Sequence, residues 1–152
     1  MNKIFLKDKV QVSDPCYGYG IWCAVTLDNV LSGKWCVDVE EYRGRNVILE
    51  ARHCYYPNRP ILEYKGDCGV DSGQLGIFNA DYYESNCGDN NYDDVESWYR
   101  RMCELTLNEP KWGIADGGDG VVSESGYGDG CYPLYVSYND GGKIVGIRVE
   151  FI

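Results

Sequence analysis

Residues 34–56 read KWCVDVEEYRGRNVILEARHCYY. Trp35, Val37 and Val39 alternate with Cys36, Asp38 and Glu40, and Val47, Leu49 and Ala51 alternate with Ile48, Glu50 and Arg52. Successive side chains on a strand point to opposite faces, so a period of two sends one row to a core and the other to water. Between the two runs, residues 41–46 (EYRGRN) supply a Gly-containing turn. The segment therefore reads as an antiparallel hairpin. His53 is the single histidine and falls on the Val47–Leu49–Ala51 row. One His carries no ligand spacing, so it reads as a partly buried strand residue.

The same pattern closes the chain. Tyr132, Leu134, Val136 and Tyr138 alternate along one run, and Val145, Ile147, Val149 and Phe151 along the next. Residues 139–142 (NDGG) join them and tolerate the positive φ of a tight turn. Pro133 has no N–H to donate, so it must face an edge or a bulge. The apolar run at 21–27, IWCAVTL, is too short for a comfortable helix and reads as a further strand. One segment differs. Val95, Trp98, Tyr99 and Met102 fall at i, i+3, i+4 and i+7, the stripe of a helix over 93–107. Asp93 with Glu96 forms a candidate capping box, Trp98 is the expected buried anchor, and Pro110 ends the run.

A length of 152 residues, 44% hydrophobic and 25% charged, fits one folded domain over 1–152. No apolar run approaches the ~20 residues of a membrane span. The start, MNKIFLKDKV, lacks an apolar core with a small-residue cleavage site, so a cytoplasmic protein is expected. The net charge of −10 repels a phosphate backbone and argues against general nucleic-acid binding. Eight cysteines lie no closer than seven positions apart, so no paired zinc ligands exist, and free thiols are expected. The 14 tyrosines and four tryptophans suit a core and also a stacking surface.

Tests for familiar chemistry come out negative. Residues 126–130 (GYGDG) lack the strand–loop–helix setting of a dinucleotide fingerprint, and there is no GK[ST]. Residues 89–94 (DNNYDD) have oxygen ligands at calcium-loop positions 1, 3 and 5 but Asp94 and Arg100 at positions 6 and 12, where an EF-hand needs Gly and Glu. They read as a solvated turn. No cofactor motif is present. The seven glycines of 113–130 mark a stretch that is either loose or shaped for a function. Asp71, Ser72 and Gln74, set between two apolar pieces, form a turn with good hydrogen-bonding groups.

Asp14-Pro15-Cys16-Tyr17, Val70-Asp-Ser-Gly-Gln74 with Gly76-Ile-Phe78, and Ser125-Gly-Tyr-Gly-Asp-Gly130 with Tyr132-Pro133 resemble a family of bacterial and phage proteins classed as a domain of unknown function. The resemblance runs from about residue 12 to the C-terminus, and the V-D-S-G-Q form is most similar to a phage-borne branch. Relatives often carry Asp where this chain has Asn79, with Asp81 two positions on. The resemblance implies no activity, but it nominates Asp14, Asp71, Ser72, Gln74, Tyr127, Asp129 and Tyr132 as ligand-binding positions. The competing expectation is that Asp14, Asp71 and Asp129 cap turns.

The sequence thus predicts a mainly β chain: an antiparallel two-layer sandwich or partly open barrel with one α-helix packed on it. The leading functional expectation is a small binding protein that sequesters a nucleotide-type signal molecule or a host factor and so counters host defence. The alternatives are an acidic protein–protein inhibitor and a hydrolase with Asp14, Asp71 and Asp129 around a divalent metal. No catalytic set or metal-ligand spacing is visible, which favours binding over catalysis. Arg52, Arg59, Arg100 and Arg101 are the candidate partners of ligand phosphates. Homo-oligomerisation is left open.

Overall fold

The alternating runs become strands. The computed structural model describes residues 2–152. Its strands are β1 (Lys3–Leu6), β2 (Val10–Ser13), β3 (Val25–Leu27), β4 (Gly33–Tyr42), β5 (Arg45–His53), β6 (Glu63–Val70), β7 (Gln74–Asn79), β8 (Trp112–Ala115), β9 (Gly120–Glu124), β10 (Gly130–Tyr138) and β11 (Ile144–Glu150). Two helices follow β7: α1 (Ala80–Asn86) and α2 (Trp98–Leu107). A six-stranded sheet runs in the order β1-β4-β5-β11-β10-β6, and a five-stranded sheet in the order β3-β2-β7-β9-β8. Neighbouring strands in both are antiparallel. Neither sheet closes on itself, so of the two architectures expected, the sandwich is the one formed.

The hairpin at 34–56 keeps the register that its pattern demands. Trp35 pairs with His53, Val37 with Ala51 and Val39 with Leu49. Trp35, Leu49 and Ala51 are fully buried against Val10, Val12, Leu75, Ile77 and Val121 of the other sheet. Such burial stabilises by roughly 25 cal/mol per Å² of apolar surface. His53 is a satisfied strand residue, as expected. Its Nδ1 accepts from the Tyr55 amide at 3.1 Å and its Nε2 lies 3.1 Å from the Ser32 carbonyl. Pro133 lies beyond the β10–β11 pairing, which starts at Leu134–Val149, and next to a bulge against β6 at Leu134/Tyr135. A second bulge at Ser137/Tyr138 places Ile144, rather than Val145, in the inter-sheet core.

The five-stranded sheet has a second apolar face. Phe78 and Val122 point away from the inter-sheet core and pack with Tyr83 of α1 and Trp98 and Met102 of α2. The expectation of one helix is corrected to two, since α1 was not foreseen. Its seven residues are too few to show a repeating apolar stripe, and only Ala80 and Tyr83 are buried. The start of α2 is corrected as well. Ser97, not Asp93, is the N-cap, accepting from the Arg100 amide at 3.3 Å. Residues 91–97 are instead turns held by Asn91 and Asp94 side chains, and Val95 is exposed. Asn and Asp side chains that bond nearby backbone compete with helix formation in this way. The run at 21–27 is also corrected: only Val25–Leu27 is strand. Ile21–Ala24 is a turn closed by the Ala24 amide on the Ile21 carbonyl. No helix among the described residues is long and apolar enough to cross a membrane.

Trp98 is 1% exposed and meets Phe78, Tyr82 and Tyr83 edge-on, with ring centroids 5.4–5.6 Å apart. Its indole N–H donates to the Pro15 carbonyl at 2.8 Å. Trp98→Ala is therefore expected to cost about 3–5 kcal/mol of folding stability. Urea denaturation measures this, and an unmoved midpoint would refute the assignment of Trp98 as the anchor of the helical layer.

Candidate functional site

Asp14 follows the last residue of β2 and is fully buried. Its Oδ1 accepts from the Cys16 amide at 2.9 Å and the Ser72 hydroxyl at 2.5 Å. Its Oδ2 accepts from the Asp71 amide at 2.8 Å and the Ser72 amide at 2.6 Å. A buried carboxylate is tolerable only when its lone pairs are met, and here donors fill both oxygens. Asp14 therefore staples the β6–β7 turn to the end of β2. From the other side, the Tyr83 hydroxyl reaches the Asp14 carbonyl at 2.9 Å and the Tyr17 carbonyl at 2.7 Å.

Asp71 is held by its own backbone in this staple and points its carboxylate outward. The Tyr17 hydroxyl donates to Asp71 Oδ2 at 2.5 Å. Burial, and then this bond to Asp71, raises the Tyr17 phenol above its ordinary range, so it stays a donor at neutral pH. Asp129 comes from a second pinned turn. The Gly128 carbonyl accepts from the Ser125 hydroxyl at 2.8 Å and the Tyr132 hydroxyl at 2.7 Å. Gly126 has φ +63°, and a Cβ there would stand 2.8 Å from the Asn46 carbonyl oxygen, so both conformation and space require glycine.

Asp71 and Asp129 line one cleft of about 610 Å³, together with Tyr17, Ile21, Trp22, Cys23, Gly69, Val70, Gly130 and Cys131. Small-molecule sites commonly measure ~300–1,000 Å³. Trp22 is 92% exposed. The Gly69 amide donates to the Cys23 carbonyl at 2.9 Å, and a Cβ on Gly69 would come within 2.9 Å of Cys23 Cβ. This close approach sets the 17–23 loop against β6. Among the described residues neither Asp71 nor Asp129 has an ion-pair partner.

The other nominated positions lie elsewhere. Ser72 stays with Asp14 as part of the staple. Gln74 is buried under α2, with its amide N–H directed at Cys103 Sγ at 3.4 Å and its oxygen accepting from Thr106 at 3.0 Å. Tyr132 is buried edge-on against Phe151 and acts on the cleft only through the Gly128 carbonyl. Tyr127 is exposed outside the cleft lining, with the Arg45 guanidinium 4.6 Å over its ring. The four nominated arginines are also away from the cleft. Arg52 bonds Glu50, Arg59 bonds the Tyr138 carbonyl, Arg100 pairs with Glu104, and Arg101 pairs with Asp116. Trp22, Cys23, Gly69 and Cys131 line the cleft but are not among the positions nominated from the sequence. The available signal was the tryptophan beside Gly18 and Gly20, inside an apolar run that starts too close to those glycines to be all strand.

A hydrolase built on Asp14, Asp71 and Asp129 gains nothing from this geometry. Donors occupy both oxygens of Asp14. Among the described residues no three His, Cys, Asp or Glu side chains are grouped to hold a metal ion.

Fold and cleft together define a β-sandwich with a shallow cleft lined by carboxylates and aromatic rings at one end. Residues 63–149 match a family described as a protein of unknown function, DUF4241, and the chain belongs to that family. No curated protein and no solved structure matches it. The matched span holds Asp71, Ser72, Gln74, Tyr127, Asp129 and Tyr132, whereas Asp14, Tyr17 and Trp22 precede it.

Two stability outcomes follow from these contacts. Asp14→Ala leaves buried donors unmet and is expected to cost about 3–5 kcal/mol, whereas Asp129→Ala stays within ~0.5 kcal/mol in the same urea assay. Equal effects would show that the staple is not what holds the turn. The second outcome concerns alkaline pH. Burial pushes the Cys16 and Cys68 thiols and the Tyr99 phenol up to about 12. Unfolded, the thiols release protons near pH 9 and the phenol near pH 10, so above pH 9 the unfolded chain binds fewer protons than the folded one. Stability is complete below that point and falls as pH rises toward 12. Urea midpoints constant from pH 8 to about 11 would contradict the burial of these groups.

Proposed function

We propose that this chain is a small binding protein whose cleft captures a nucleoside-type molecule by its flat ring and its donor groups. The observation that supports this reading is the pairing of a 92% exposed indole, Trp22, with two carboxylates free of cationic partners in one cleft. An indole or phenol face gains ~1–3 kcal/mol from stacking on a base. Carboxylates accept from exocyclic amines and from ribose hydroxyls. Both carboxylates sit on turns fixed from behind, Asp71 by Asp14 and Asp129 by Ser125 and Tyr132, so little ordering is required when a ligand arrives. Among the described residues no Lys or Arg lines the cleft. A nucleotide would therefore enter ring first, with its phosphates directed to water. The biological role we attach to such capture is sequestration of a small signal molecule during phage infection, and its support is the resemblance of the Val70–Gln74 and Asp14–Tyr17 motifs to a phage-borne branch.

The test is titration calorimetry with adenosine, guanosine and cytidine, their 5′-monophosphates, ADP-ribose and a cyclic dinucleotide. At least one nucleoside is expected to bind, and its monophosphate to bind within about threefold of it, because no cation meets the phosphate. Trp22→Ala is expected to weaken that binding about tenfold, with an unchanged melting temperature. An empty panel, or binding indifferent to both Trp22→Ala and Asp129→Asn, would overturn the reading in favour of an acidic protein–protein inhibitor.

A further inference from the structure

The outer face of the six-stranded sheet carries chemistry that the cleft does not use. Lys3 on β1 pairs directly with Cys36 on β4, and Cys36 pairs with Arg52 on β5. Cys54 lies two residues beyond Arg52 and so shares that face. The two sulfurs are 3.0 Å apart. Lys3 Nζ stands 3.3 Å from Cys36 Sγ and 3.5 Å from Cys54 Sγ. The Cys54 amide donates to the Lys34 carbonyl at 3.0 Å, which ties the residue after β5 back to β4 and keeps the sulfurs together. All eight cysteines are free thiols, and this is the one pair of sulfurs within hydrogen-bonding reach among the described residues.

We infer that Cys36 and Cys54 form a reversible redox pair, oxidised to an intramolecular disulfide by low-molecular-weight disulfides. Cys36 is the attacking sulfur. The S–H of Cys54 directed at it, and then the Lys3 ammonium, hold its thiol below the ordinary range, while burial raises Cys54. The Cys36 thiolate attacks one sulfur of the small disulfide. A bond forms between them, the small disulfide's S–S bond breaks, and the departing thiolate takes up the proton that Cys36 lost. Cys54, deprotonated in turn, attacks Cys36 Sγ and expels the second small thiolate, which takes the Cys54 proton. Two protein thiols are oxidised to one disulfide, and one small disulfide is reduced to two thiols. The sulfurs need close only from 3.0 Å to ~2.05 Å. A cavity of about 460 Å³ lined by Lys3, Ser32, Gly33, Lys34, His53, Cys54 and Tyr55 opens beside the pair. Its two ammonium groups suit a carboxylate-bearing disulfide, of which oxidised glutathione is the probe.

The full-length protein is incubated with oxidised and reduced glutathione at rising ratios, quenched in acid, alkylated and mapped by mass spectrometry. The expected product has lost two hydrogens and joins the Cys36 peptide to the Cys54 peptide. Cys54→Ser, nearly isosteric, is expected to trap glutathione on Cys36. Lys3→Gln is expected to slow the reaction, since losing the neighbouring ammonium raises the Cys36 thiol and cuts its thiolate fraction by more than its nucleophilicity gains. Cys131, exposed and with no lysine hydrogen-bonded to its sulfur among the described residues, is the internal control. Faster adduct formation on Cys131 than on Cys36 would overturn the inference, as would a cross-link between any other two cysteines.

Discussion

A single buried carboxylate organises the cleft end of this molecule. Asp14 receives hydrogen bonds from Cys16, Asp71 and Ser72, residues that belong to two different turns. Charged acceptors form the stronger kind of hydrogen bond, at roughly 1.5–3 kcal/mol each. The same backbone is gripped on its far side by Tyr83 and Trp98, through the Asp14, Tyr17 and Pro15 carbonyls. The helical layer thus reaches past the five-stranded sheet and fixes the loop that carries Tyr17 and Trp22. Cleft geometry is set by residues that do not line the cleft.

The strands were legible in the sequence wherever one face is wet. Trp35–Val39 and Val47–Ala51 keep a strict period of two, and their register follows it. β7 gave no such pattern, since all six of its residues are buried. α1 escaped notice because a helix of two turns needs only Tyr83 and Ala80 for its inner face. The boundary of α2 was misplaced because Asp93, Asp94 and Glu96 imitate a capping box, whereas they bond within turns and leave the cap to Ser97.

The site was half legible, for a similar reason. Gly-flanked polar residues do mark the two turns, but turn chemistry and ligand chemistry use the same residue types. Asp14 and Asp71 look alike in sequence, yet one is closed off by donors and the other looks into the cleft. Gln74 and Tyr132 fell inside because each lies on a strand whose inward row they join. Trp22 lies in an apolar run that reads as strand, and only the neighbouring Gly18 and Gly20 mark that its first half turns away. The cleft's lining has two carboxylates and, among the described residues, no Lys or Arg, whereas the arginines expected to meet a ligand's phosphates lie elsewhere.

The double burial of β7 has a mechanical consequence. Leu75 and Ile77 belong to the core between the sheets, while Phe78 belongs to the core beneath the helices. One short strand is thus a partition wall shared by two rooms. Neither core can loosen without disturbing the hydrogen-bonded ladder of that wall to β2 and β9. Local opening of the helical layer is therefore expected to spread into a global event, with a lesion under α2 felt at the far sheet.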